Sequence, residues 1–114
     1  MNKIHFIPQR DNMDCGPACL AMISMYYSKN YPLEYLRSLS FITKDGVSLL
    51  GLKEASSIIG LDSISTKLTT LDLISKLNYF PCILHWNQKH FVVLYKVKEK
   101  MFFIADPEFG KIKL

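Results

Sequence analysis

The chain has 114 residues, 49% of them hydrophobic, and a formal charge of +4. A chain of this length suits one domain and buries roughly two-thirds of the surface its unfolded form exposes, so it needs no disulfide framework or structural metal. The composition excludes a disordered chain, and the scattered basic residues, dense only at "KVKEK", exclude a nucleic-acid patch with interleaved aromatics.

The elements follow in order. Residues 15–28 are almost continuously apolar, and a helix without a polar face is buried on all sides. Pro17 suits a first helical turn, where its missing N–H costs nothing, and Asp14 is placed to cap that turn through the Gly16 N–H. A second, short helix begins at Pro32 and carries Leu33, Leu36 and Leu39. A third fits 48–59, with Leu49, Leu52, Ala55 and Ile59 on one stripe and Gly60 as the stop. "DSISTKL" at 62–68 alternates like a strand, and "TTLD" at 69–72 matches a capping box for a fourth helix over 70–77. Three strands close the chain at 80–86, 90–97 and 101–106, separated by the turns "NQK" and "KEK". Helices first and strands later, without βαβ alternation, define an α+β fold with an antiparallel meander.

The three cysteines, Cys15, Cys19 and Cys82, are too few and odd in number for a disulfide framework. No secretory signal opens the chain, and no apolar run approaches the ~18 residues of a membrane span. These features together suit a reducing compartment. Cys15 stands in the opening turn of the first helix, where a thiol pKa falls from about 8.5 into the range of roughly 3.5–7.5. Its plainer role is a small buried hydrophobe. Cys19, one turn on, and Cys82, in an apolar strand, read as packing.

Among the histidines, His5 has no evident partner and His85 lies within a strand. His90 opens a strand at a hairpin mouth, where a catalytic imidazole needs to be. If "KEK" is a three-residue loop, Val97 faces Met101 and Asp106 faces Val92. Val92 and His90 share a side of the sheet, so Asp106 becomes the diagonal neighbour of His90. A two-residue loop would send Asp106 to the other side. Asn87 is a weaker candidate to orient the base. Gln9 carries an amide that, with the Cys15 backbone N–H, suits an oxyanion hole; its plainer role is a solvated loop residue. A zinc site would draw on Cys15, Cys19 and His90, but "CGPAC" has no second close pair to complete four ligands.

In combination, Gln9, "DCGPACLAMI", "PCILHW", "HFVVLYKV" and "ADPEFGKIKL" resemble the double-glycine leader peptidases of bacteriocin export, the papain-like N-terminal domains of peptidase-containing ABC transporters. The resemblance covers essentially the whole chain. It implies a papain-like α+β cysteine peptidase with an N-terminal helical part followed by an antiparallel sheet. In that setting Cys15 is the nucleophile, His90 its base, Asp106 the group that holds the imidazole, and Gln9 the oxyanion donor. No cofactor and no metal are implied. The expected substrate is a precursor peptide cut after a Gly-Gly pair. The expected partners are the transmembrane and nucleotide-binding parts of an ABC transporter, on this or another chain, at the cytoplasmic side of a bacterial membrane. Family domains generally run through further strand beyond the Asp-Pro pair, so residues 1–114 read as a single domain open to truncation at its C-terminal end. Two rival functions carry the same residues: a non-catalytic domain that docks export substrates, and a papain-like thiol hydrolase of other specificity.

Overall fold

The longest apolar run of the chain becomes its central helix. In a computed structural model that describes residues 3–40, 46–65, 80–86 and 90–114, helix α1 spans Cys15–Tyr26, and every residue from Cys15 to Ser24 is buried. Each fully buried Leu20 or Met22 side chain contributes about 1.5–3 kcal/mol of apolar burial. The one hydroxyl in this stretch, Ser24, donates to the Leu20 carbonyl at 2.7 Å, which removes the cost of burying it.

Helix α2 (Leu33–Leu39) starts directly after Pro32. Helix α3 (Leu49–Ile58) is capped by Ser48, whose hydroxyl accepts the Gly51 N–H at 3.0 Å. Gly60 ends the segment in the left-handed region, at φ 86°. The apolar stripe on α3 is narrower than expected. Leu52, Ala55 and Ile59 are buried, but Leu49 is 44% exposed; within the first turn of α3 it is Gly51, not Leu49, that lies against the end of α2. A Cβ at Gly51 would lie 2.4 Å from the Ser40 carbonyl oxygen, so the two helices approach as closely as backbones allow.

Among the described residues, four antiparallel strands form a meander in the order β1-β2-β3-β4: β1 Cys82–Trp86, β2 His90–Lys98, β3 Met101–Asp106 and β4 Gly110–Lys113. The first three were expected; β4 was not. It forms because residues 106–110 turn back on themselves, with the Phe109 N–H bonded to the Asp106 carbonyl and Gly110 at φ 101°. The strand expected at 62–68 is not seen over 62–65. Alternation alone makes no ladder without a neighbouring edge, and Ile64 is 92% exposed. Residues 66–68, the helix expected at 70–77 and the turn at 87–89 lie outside the described residues.

Both faces of the sheet are apolar. Phe91, Val93 and Ala105 join the core around α1, together with Leu36, Leu52 and Ala55. Val92, Leu94 and Ile104 form a second, smaller cluster. Helix α1 packs on β2 and touches α2 and α3, so its N-terminus is set against the first residues of β2. Among the described residues, no helix is long and apolar enough to cross a membrane.

Candidate active site

Cys15 is the first residue of α1 and is 6% exposed. Its sulfur meets the backbone N–H of Phe91, which seats the thiol against β2 one residue beyond His90. The helix start lies close to the strand: a Cβ on Gly16 would sit 3.4 Å from the Phe91 ring, at ordinary contact distance.

The charge state of Cys15 differs from the sequence expectation. Burial is the largest influence and pushes the thiol up. Hydrogen bonds from the N–H groups of Phe91, Gly16 and Cys15 itself pull it down, and the Asp106 carboxylate pushes it up further. The net direction is upward. Helix-start amides are present as expected, but desolvation outweighs them. Burial raises Cys19 further, well above the ordinary range, and pushes Cys82 up to about 11. Cys15 is thus the thiol whose ionisation the surroundings assist most.

His90 Nε2 lies 2.7 Å from Asp106 Oδ1, and the same oxygen accepts the Glu108 N–H at 2.9 Å. Asp106 is buried, at 3% exposure. An ionised carboxylate only accepts, so in a neutral imidazole this bond places the proton on Nε2 and leaves the Nδ1 lone pair free.

The pairing arises by an unexpected route. The β2–β3 loop is a two-residue turn, with Lys98 facing Met101 and both Glu99 and Lys100 at positive φ. Taken alone, that loop would send Asp106 to the wrong side. A register shift between Leu94 and Lys96 restores the frame, so that Leu94 faces Ile104 and Val93 faces Ala105. The bulge therefore returns Asp106 to the side of His90.

Gln9 is tied to the same end of the sheet. Its backbone N–H donates to the Pro107 carbonyl at 3.0 Å, and its side-chain Oε1 is buried without a hydrogen-bond partner among the described residues. Gln9, Asp106, His90 and Cys15 are therefore linked through neighbouring residues around one locus. His85 is exposed and stacks on Phe91 at 4.3 Å. His5 is exposed, and Asn87 lies outside the described residues.

Asp14 does not cap α1: its side chain makes no cap hydrogen bond. The carboxylate turns instead toward Arg37 of α2, whose Nε lies 2.6 Å from Oδ1. An ion pair with a guanidinium outcompetes a single amide for a carboxylate that is fully buried. Nothing in "LEYLRSL" marks Arg37 as belonging to this site, since a basic residue in a last helical turn normally faces the dipole and solvent.

Residues 3–114 match the model of the peptidase C39 family. This chain belongs to that family. C39 members are cysteine peptidases, and the present fold, three helices and a four-stranded antiparallel sheet among the described residues, is the papain-like one of their peptidase domains. The chain is 36% identical over 110 residues to the colicin V secretion/processing ATP-binding protein CvaB of Escherichia coli, covering 95% of this chain and 15% of CvaB. It is 38% identical over 117 residues to the lactococcin-G-processing and transport ATP-binding protein LagD of Lactococcus lactis, covering 99% of this chain and 16% of LagD. It thus spans about a sixth of the length of these curated relatives. Among solved structures, it superposes with a TM-score of 0.93 and 38% identity on a double glycine motif protease from an AMS/PCAT transporter in complex with the leader peptide, covering 99% of this chain and 80% of that one. The peptidase domain of Streptococcus ComA, a bifunctional ABC transporter of a quorum-sensing pathway, gives a TM-score of 0.83 at 30% identity, covering 98% of this chain and 86% of that one.

Proposed function

We propose that this C39 domain is a cysteine endopeptidase that removes the leader of a secreted peptide precursor after a Gly-Gly pair, in the service of an ABC exporter. The observation that carries the reading is the line of contacts from the Cys15 sulfur to the Phe91 N–H, and from the adjoining His90 to Asp106.

In this reading Asp106 holds the Nε2 proton, and Nδ1 of His90 takes the thiol proton as the Cys15 sulfur attacks the carbonyl carbon of the second glycine. The carbonyl π electrons move onto oxygen, where the Gln9 amide and the Cys15 N–H stabilise them. Collapse of the tetrahedral intermediate breaks the C–N bond, and the imidazolium gives its proton to the leaving amine. Water, deprotonated by the same imidazole, then cleaves the thioester and releases the leader carboxylate. A thiol pushed up by burial suits this sequence, because proton transfer accompanies attack and no resting thiolate is required. Two glycines suit the substrate side: an extended backbone without β-carbons can enter a slot too narrow for side chains.

The relatives' names, which couple processing to transport, support the substrate class and the exporter as partner. That partnership implies the cytoplasmic face of the membrane, where precursor and ATP are found. The low exposure of Cys15 favours one rival, a domain that docks substrate without cutting it.

The test is incubation with a double-glycine precursor, followed by mass analysis. Cleavage after the second glycine, lost in Cys15→Ala and lost when either substrate glycine becomes alanine, is the expected result. Binding without cleavage by the native chain means docking alone. Undiminished cleavage of the alanine substrates means a thiol hydrolase of other specificity.

A further inference from the structure

Five residues separate the proposed oxyanion donor Gln9 from the proposed nucleophile Cys15, and their path is tightly turned. The Asp14 N–H bonds the Asp11 carbonyl at 3.2 Å, and the Met13 N–H bonds the Asp11 carboxylate at 2.8 Å. One side chain from another element grips both ends of this turn. Arg37 of α2 places Nε 2.6 Å from Asp14 Oδ1 and an Nη2 nitrogen 3.5 Å from Asp11 Oδ2. Asp14 is entirely buried. Neither of its oxygens accepts a well-aligned hydrogen bond among the described residues, so the guanidinium is its described compensating charge.

We infer that Arg37 is a positioning residue of the peptidase: by bridging Asp11 and Asp14 it sets where Cys15 stands relative to Gln9. The inference rests on the assignment of Cys15 as nucleophile. A guanidinium is suited to the task, because its Nε and Nη2 face the two carboxylates at once, which a single ammonium cannot do. The neighbouring exposed pair, Arg10 Nη1 to Glu34 Oε1 at 2.9 Å, also joins this loop to α2. Its side chains are 62% and 74% exposed, so solvent screens it and it constrains little. Loss of this grip would let the loop relax and would leave the buried Asp14 carboxylate, next in sequence to Cys15, without its described compensating charge. Misplacement by about 1 Å is enough to cost on the order of a hundredfold in rate.

The experiment measures kcat and KM on a double-glycine precursor for Arg37→Lys, Arg37→Met and Arg10→Ala, with rates normalised to the fraction of Cys15 that a thiol reagent titrates. The expected result is a kcat lowered about tenfold in Arg37→Lys and about a hundredfold in Arg37→Met. KM should stay within about twofold, and Arg10→Ala should match the native chain, as a screened surface pair predicts. In an Asp14→Asn background, Arg37→Met should cost far less, since the charge it serves is gone. Native kcat in Arg37→Lys, or a loss that appears only in KM, overturns the inference. If Arg37→Met does not fold, Arg37→Lys alone decides. Cleavage persisting in Cys15→Ala would instead overturn the nucleophile assignment, which keeps the two failures apart.

Discussion

Asp106 offers the sharpest test of the site, because one of its oxygens serves two donors. Oδ1 accepts both His90 Nε2 and the Glu108 N–H, at 2.7 and 2.9 Å. Consider Asp106→Asn. The Glu108 N–H can only donate, so the new amide must keep its oxygen at that position, and the same oxygen still faces the imidazole. The His90 tautomer is therefore preserved, with Nδ1 free. What disappears is the charge. A hydrogen bond to a charged group contributes about 1.5–3 kcal/mol and a neutral one about 0.5–1.5. The loss is thus about 1–1.5 kcal/mol, or a fall of about 5–12-fold in kcat. Asp106→Ala removes the oxygen itself, freeing the imidazole to rotate and to take either tautomer. Its cost should approach the full contribution of a positioned base, about 10²–10⁴-fold. Steady-state cleavage of a double-glycine precursor by the native chain and both variants measures the two effects. If Asn falls as far as Ala, the argument from the shared oxygen is wrong and the negative charge itself is what the reaction needs.

Two further outcomes follow from the same geometry. Brief alkylation with mass mapping should modify Cys15 first, then Cys82, pushed up to about 11, with the fully buried Cys19 last. Burial raises Cys15 as well, and the thiolate is the reacting form, so its rate should keep climbing as pH passes the ordinary thiol value of about 8.5; a plateau well below that pH would show that a charged partner, not burial, governs the sulfur. Gly51→Ala should lower the melting temperature. A helix-interior Gly→Ala change normally gains about 1 kcal/mol, but here the added carbon would meet the Ser40 carbonyl at 2.4 Å, an overpacking worth about 1–3 kcal/mol. A raised melting temperature would mean that α2 and α3 separate at little cost.

The helices and strands were legible where a local signal was strong. Unbroken apolarity marked α1 as buried on all sides, the stripe over 48–59 and the stop at Gly60 marked α3, and the short turns between the last three apolar runs made a meander natural. Signals that depend on a neighbour were not legible. Asp14 has the type and position of a helix cap, yet its partner is Arg37, 23 residues away, and no local pattern announces an ion pair between elements. Likewise a helix-start cysteine reads as activated until the depth of its burial is known. Leu49 obeys the period of its stripe, but it is Gly51 that lies against the end of α2, and Leu49 is exposed.

The His90–Asp106 pair shows why a site can be read correctly through a wrong local picture. Sequence reasoning assumed a three-residue loop after Val97. The chain instead makes a two-residue turn at Glu99 and Lys100, both in the left-handed region and neither the Asn or Gly that usually announces such a turn. It then spends one residue in a bulge near Tyr95. A loop residue and a bulge residue are equivalent for alternation, since each is one position removed from the ladder. Which side of the sheet Asp106 occupies depends on how many residues between it and His90 lie outside regular pairing, not on where along the hairpin they fall. The spacing of "HFVVLYKVKEKMFFIAD" carries that number, whereas the extra residue falls at Tyr95, whose ring meets that of Phe103 at 6.3 Å, beside the Lys96 ammonium that lies over the Phe103 ring. Moving the surplus residue from the bulge into the turn would therefore keep His90 and Asp106 together, while deleting it would put them on opposite sides.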